Sequence, residues 1–310
     1  MARLLYPLIG LPALGAALYG AALAWLWFRQ ESLLFEPERL APDDALATDP
    51  DTREFHVDVP GARLSVAQLK LPDPRGVVFY LHGNSGNLRK WFTSLDTFRA
   101  LNFDVVMMDY RGFGKSTGRI ESEAQLHADV RAVWNAIAGQ YAGRCVVVSG
   151  QSLGTGLAAG LSADLCGAGT PADLTLLISP YSSMRALADE HYPWVPSGVL
   201  RYKLATVDHA CKVSGPVMLV HGDRDELIGH HHSEAIRKAL PQCQLLLVEG
   251  AGHGDVHQFP SFREGVATAL GALAGLAVTA AATAAGGVAA AGAQPVSYAA
   301  SGQAPTTALS

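Results

Sequence analysis

Charge is scarce in this 310-residue chain: Asp, Glu, Lys and Arg make up 16% of it, against 49% apolar residues. Soluble domains usually carry about 25% charged residues, so uncharged stretches must dilute the rest. No run of Lys or Arg occurs and the formal net charge is -5. That argues against a nucleic-acid partner, because phosphate is bound by a positive surface. Cysteine is sparse as well. Cys145, Cys166, Cys211 and Cys243 show no CxxC spacing, so neither a zinc site nor a thioredoxin-type motif is indicated. Cys211 and Cys243 each precede an expected strand near the same end of a sheet. Free thiols are the expectation, and a disulfide between them stays open if the domain is exported.

Two stretches account for the missing charge. The first runs from Leu4 to Phe28, 25 residues without a charge. As a helix it would reach about 37 Å, against a hydrocarbon core of about 30 Å. Trp25, Trp27 and Phe28 sit at its far end, as an interfacial aromatic belt would. A cleaved signal peptide, with Ala22-Leu23-Ala24 as its processing site, is the alternative. The apolar run continues past that site, so a transmembrane anchor over 1–29 is expected. Arg3 and the terminal amine precede it, while Glu31, Glu36 and Glu38 follow Arg29 closely. This arrangement favours a cytoplasmic N-terminus with the main domain outside. The second stretch, Gly265 to Ser310, is dominated by Ala, Gly and Thr. Its first part reads as the end of a terminal helix, and 277–310 as a flexible tail.

Between them lies a connector, 30–53, rich in Pro and acid, and then a domain over 54–276. Glu54 to Val59 and Leu64 to Leu71 read as a hairpin around Pro60-Gly61. Continuous aliphatic runs follow at Gly76 to Leu81, Phe103 to Asp109, Cys145 to Ser149, Leu174 to Ser179, Val217 to His221 and Gln244 to Val248. Strands buried on both faces of a parallel sheet have this character. Helical patterns alternate with them at Glu121 to Gln140, Leu153 to Cys166 and Ser233 to Leu240. The alternation predicts an α/β fold with a mostly parallel, doubly wound sheet. Tyr181 to Ser214 breaks the pattern without a strand and reads as a short lid (about 181–214).

Gly150-Gln151-Ser152-Leu153-Gly154 follows a strand directly and opens an apolar helix, the context of a nucleophile elbow. The turn is so tight that positions two either side of the serine must be small. Gly114-Lys115-Ser116-Thr117-Gly118 fits the same pentapeptide but lies seven residues past its strand, where no elbow is available. Ser116 is therefore expected in a turn or helix cap. A serine hydroxyl needs a base, and the base needs a third group to orient it. The order after the serine should be acid, then histidine, on loops after later strands. Asp223 and Asp225 follow Val217 to His221. Asp225, further out, is the expected acid, and Asp223 the loop brace. His253 follows Gln244 to Val248 among glycines and is the expected base, with His257 as its rival. Two backbone N–H groups must receive the oxyanion. Leu153 supplies one, and Asn84, in His82-Gly83-Asn84-Ser85-Gly86-Asn87, the other. His230-His231-His232 are expected to be solvated, since three consecutive helical positions point in different directions and cannot all chelate one ion.

Taken in order, His82-Gly83-Asn84, Asp109-Tyr110-Arg111-Gly112-Phe113-Gly114-Lys115-Ser116, the Gly150 to Gly154 elbow, His221-Gly222-Asp223-Arg224-Asp225 and Gly252-His253 resemble the α/β-hydrolase superfamily. The resemblance covers roughly Glu54 to Leu270. With the apolar N-terminus, Leu33-Leu34-Phe35 and the lid sequence His191-Tyr192-Pro193-Trp194, it points to a membrane-anchored branch of serine hydrolases. Some members of that branch are serine-aminopeptidase-like and some are depalmitoylases. The resemblance implies Ser152, Asp225 and His253 as a triad, Asn84 and Leu153 as oxyanion donors, and no metal or organic cofactor. Gly229-His230 departs from the proline-containing turn common after the acid loop, and the Ala-rich tail has no counterpart. The implied activity is cleavage of carboxylic esters or thioesters of small-molecule or lipid-like acyl substrates. A peptidase shares the machinery, and a catalytically silent, tethered interaction module is the rival from another class. Two roles are open to Tyr192, Pro193 and Trp194: an apolar wall for an acyl chain, and plain packing of the lid.

Overall fold

The computed structural model describes residues 5–46, 49–93 and 95–285, with the helical segments 5–11 and 274–285 described by backbone alone. In chain order the elements are α1 (Leu5–Leu34), β1 (Glu36–Pro37), β2 (Thr52–Val59), β3 (Ala62–Leu69), β4 (Gly76–Leu81), β5 (Ser85–Gly86), α2 (Leu88–Trp91), α3 (Asp96–Ala100) and β6 (Phe103–Met108). There follow α4 (Glu123–Ala138), β7 (Cys145–Gln151), α5 (Gly154–Gly167), β8 (Leu174–Ile178), α6 (Met184–His191), α7 (Thr206–Ala210), β9 (Val217–Gly222), α8 (His231–Ala239), β10 (Gln244–Val248) and α9 (Pro260–Ala285).

Eight strands form one sheet in the order β10-β9-β8-β7-β4-β6-β3-β2. The run from β10 to β6 is parallel, and β3 and β2 join antiparallel at one edge. Every residue of β4, β6, β8 and β9 is buried, which is why their sequences are continuous apolar runs and not alternating ones. One apolar core lies on each face of the sheet. Chain order reverses between β4 and β7, and ligands of open α/β sheets bind at the carboxyl ends beside such a reversal. The lid stretch contains α6 and α7 and no strand.

At both ends the helices run beyond the bounds expected from the sequence. Among the described residues no helix is long and apolar enough to cross a membrane. Nor does the first helix stop at residue 29. It continues to Leu34 because the polar residues after the apolar run have partners on the lid. Buried Gln30 donates from Nε2 to Val199 O at 2.6 Å and accepts from Arg201 N at 2.8 Å. Glu31 pairs with Arg201 at 2.7 Å and accepts from Tyr202 Oη at 2.9 Å. At the other end α9 runs past residue 276 to Ala285. The remainder of the expected tail, 286–310, lies outside the described residues.

Candidate active site

Three strand ends supply the site. β7 delivers Ser152 on a turn so sharp that its φ is +52°, a left-handed conformation that costs a non-glycine residue about 1–3 kcal/mol. The two glycines of the pentapeptide make room for it. A Cβ on Gly150 would collide with Gly154 O, and one on Gly154 with Leu81 O. α5 can therefore start directly above β4 and β7. Small residues continue along this helix, where a Cβ on Gly156 would stand 2.6 Å from Tyr181 Oη.

β9 and β10 deliver the other two side chains. Gly222 lets their loops meet, since a Cβ there would strike Ala251 O, and Arg224 N donates to Ala251 O at 2.9 Å. Asp223 Oδ1 accepts from Gly250 N at 2.6 Å, so this carboxylate ties the two loops together. Asp225 faces inward. Its Oδ1 accepts from Leu227 N at 3.0 Å and Ile228 N at 2.8 Å, and its Oδ2 lies 2.7 Å from His253 Nδ1. The opposite ring nitrogen, His253 Nε2, is 3.0 Å from Ser152 Oγ. A carboxylate only accepts, so Nδ1 carries the hydrogen. The neutral ring then presents the Nε2 lone pair to the serine hydroxyl.

Burial works against ionisation of Asp225. Hydrogen bonds from His221, His253 and the Ile228 N–H outweigh it and hold the carboxyl well below the usual carboxylate range. His221 was not singled out by its sequence. Its Nε2 donates to Ile228 O at 2.7 Å and lies 3.4 Å from Asp225 Oδ2, while Nδ1 meets Ser233 Oγ at 2.7 Å. The available signal was its place at the buried end of an apolar strand, where an imidazole requires partners.

The expected oxyanion residues flank Ser152. Leu153 follows it, and a Cβ on Gly83 would lie 3.7 Å from Ser152 Cβ, which brings the Gly83-Asn84 loop alongside. Among the described residues neither the Asn84 nor the Leu153 N–H has an acceptor. Asn84 is held from the N-terminal side: its carbonyl accepts from Glu36 N at 2.8 Å and its Nδ2 donates to Leu34 O at 3.2 Å. β1 and β5 extend this contact as a parallel pair.

The motif that begins at Asp109 braces the same loop. Asp109 Oδ1 accepts from Leu88 N at 2.9 Å, Tyr110 Oη donates to His82 O at 2.7 Å, and Arg111 forms a two-pronged pair with Asp129 of α4 at 2.6 and 2.8 Å. Ser116 is fully buried. It accepts from Ser65 N and donates to Asp109 O, both at 2.7 Å, and so locks a turn. His257, the rival base, has no partner among the triad candidates. It lines a cleft of about 350 Å3 with Trp91, Leu95, Phe98, Gln151 and Gly254, the last two being chain neighbours of Ser152 and His253. A larger cavity of about 600 Å3 lies against Glu31, Arg39 and Arg119 and includes none of the three residues. The smaller cleft is not lined by the three residues either, but it borders two of them through their chain neighbours. Tyr192 and Trp194 are exposed, and Tyr19 Oη donates to Trp194 O at 2.8 Å. All four cysteines are free.

A mostly parallel sheet with serine, carboxylate and imidazole on the loops after β7, β9 and β10 defines the class: the chain has the α/β-hydrolase fold. A family model described as "Serine aminopeptidase, S33" matches residues 72–196. The chain is 30% identical over 200 residues to α/β-hydrolase domain-containing protein 17C of Xenopus tropicalis, an alignment covering 62% of this chain and 61% of that one. It is 30% identical over 202 residues to the human protein 17B, covering 62% and 65%. It thus spans less than two thirds of the length of these relatives. Among solved structures, an α/β-hydrolase from Vibrio vulnificus superposes with a TM-score of 0.60 at 17% identity, over 71% of this chain and 81% of the other. An esterase from Pyrococcus furiosus gives 0.58 at 16%, over 77% and 98%.

Proposed function

We propose that the chain is a serine hydrolase that cleaves carboxylic esters or thioesters through an acyl-enzyme. Ser152 Oγ attacks the acyl carbonyl while its proton passes to His253 Nε2, and Asp225 stabilises the resulting imidazolium. The N–H groups of Asn84 and Leu153 receive the oxyanion; removing such a donor typically costs about 3 kcal/mol in the barrier. His253 then returns the proton to the departing alkoxide or thiolate. Water repeats the sequence on the acyl-Ser152 ester. The observation that carries the proposal is the 3.0 Å approach of His253 Nε2 to Ser152 Oγ with Nδ1 held at 2.7 Å from Asp225. The apolar cleft beside Gln151 and Gly254 suits an acyl chain. A panel of p-nitrophenyl esters and acyl thioesters of graded chain length tests it. Turnover should be present in the wild type and absent in Ser152→Ala; equal turnover in both would refute the reading.

The serine-aminopeptidase description of the matching family model favours a second reading, amide hydrolysis on the same residues. Aminoacyl p-nitroanilides cleaved faster than any ester would select it.

The proposal extends to attachment at a membrane through α1. Its apolar run begins at Leu4, ahead of the described side chains, and Leu18, Trp25, Trp27 and Phe28 are exposed along it. A tether raises the concentration of the site at a lipid surface. A single pass would leave the catalytic domain outside the cytoplasm. Digestion of that domain by external protease in intact cells supports this orientation, and protection of it contradicts it.

A further inference from the structure

The three consecutive histidines divide in the structure. His230 precedes α8 and faces Glu234 at 3.7 Å. His231 and His232 open the helix and face Glu190 on the lid helix α6: His231 Nε2 is 2.9 Å from Glu190 Oε1, and His232 Nε2 is 3.4 Å from Glu190 Oε2. The expectation that all three are solvated fails at His232, which is buried in the fold, and two of them converge with a carboxylate from another element. Their rings stack at 4.5 Å between centroids, and the ligand atoms of Glu190, His231 and His232 lie within 4.8 Å of one another.

His232 is 1% exposed, yet its Nε2 has no hydrogen-bond partner, because the approach to Glu190 is out of line. A buried polar atom left this way is destabilising unless something satisfies it. We propose that Glu190, His231 and His232 bind a divalent transition-metal ion of the zinc type, with the fourth position open to solvent beside the exposed Glu190 and His231. Ligand atoms 2.0–2.1 Å from a tetrahedral zinc stand about 3.3–3.4 Å apart. Here His231 and His232 each approach a different oxygen of Glu190, at 2.9 and 3.4 Å, and the three ligand atoms lie within 4.8 Å, so a small closure around the ion completes the set. Burial favours the neutral His232 imidazole, the form that offers a lone pair. Burial works against ionisation of Glu190, and hydrogen bonding from His231 outweighs it.

Ligating histidines donate their other ring hydrogen to a fixed acceptor. His232 Nδ1 has Ser182 Oγ at 3.0 Å for this, in exchange for the longer 3.3 Å bond from Ser182 N. The ion joins the lid helix α6 to α8, the helix that follows the loop carrying the acid. Ser233 follows His232 and bonds His221, which lies 3.4 Å from Asp225, so occupancy stiffens the lid against this support.

Titration of the full chain, pretreated with chelator, with zinc chloride in a calorimeter tests the site. One zinc per chain is expected. Glu190→Gln and His231→Ala, both on exposed side chains that leave the fold intact, should each weaken it at least tenfold, and Ser182→Ala by about tenfold. Ser152→Ala should leave it unchanged, so the result is independent of hydrolysis. Cobalt in place of zinc should give the intense visible bands of a tetrahedral ion. Absence of zinc uptake by the folded wild type would overturn the proposal. So would uptake untouched by both ligand variants, or uptake lost instead in His127→Ala. That last result would move the ion to Glu123, His127 and His209, where the carboxylate already accepts from Lys203 N and Leu204 N.

Discussion

Two carboxylates stand two residues apart after β9 and have different surroundings. Asp225 meets His253, whereas Asp223 holds the backbone of Gly250. Asp225→Asn should lower kcat by about 10³–10⁴-fold, because an amide at this place favours the wrong imidazole tautomer. Asp223→Asn should lower it by less than about tenfold, as loop support is only weakened; comparable losses in the two variants would reassign the acid. The acid limb of stability follows from the same site. The folded-state pKa of Asp225 is depressed, so its contribution to stability is complete above the unfolded value of about 3.9 and is lost as pH falls through the folded one. Asp225→Asn should therefore flatten the decline of stability in acid, measured by urea unfolding at stepped pH. Ser152, Asp225 and His253 were legible because each sits on a loop directly after an apolar strand, among glycines. His221, Ser233 and Glu190 were not. Their contacts form between separate elements, and no local spacing encodes them.

At the scale of elements, the buried strands could be read to within a residue or two, since the parallel sheet demands uninterrupted apolar runs. Contacts between the N-terminal helix and the lid could not, because Gln30 and Glu31 look like solvated polar residues until Val199, Arg201 and Tyr202 arrive beside them. The segment just after α1 braces one loop of the site. Leu34 and Glu36 hold Asn84, and β1 pairs with β5. A chain starting at Gln30 should retain esterase turnover, and one starting at Arg39, without β1, should lose most of it while staying folded by circular dichroism. Equal activity in the two would detach β1 from the oxyanion loop. The pair between Arg111 and Asp129 ties the adjoining loop to α4 with both side chains buried. Removing one member of such a pair leaves a bare buried charge. Asp129→Ala should then cost about 3–5 kcal/mol in chemical denaturation, and a loss under about 1 kcal/mol would show the pair to be solvated.

For the whole molecule, the N-terminal helix, the lid and the strand-end loops form one connected structure. α1 touches the lid through Tyr19, Gln30 and Glu31, and the chain directly after it supports the loop beside Ser152. A membrane holding the exposed aromatic face of α1 would thus hold the mouth of the site as well. The full chain should sediment with phosphatidylcholine vesicles and the chain starting at Gln30 should stay in the supernatant; sedimentation of both would place the lipid contact elsewhere. The central claim is that Ser152, and neither Ser116 nor any other hydroxyl, is the nucleophile. The most direct test is reaction of the folded full chain with a fluorophosphonate, followed by peptide mapping in a mass spectrometer. One adduct on the peptide containing Ser152 is expected, lost in Ser152→Ala and kept in Ser116→Ala. An unmodified Ser152 in a folded chain, or a stoichiometric adduct on another residue, would contradict the account.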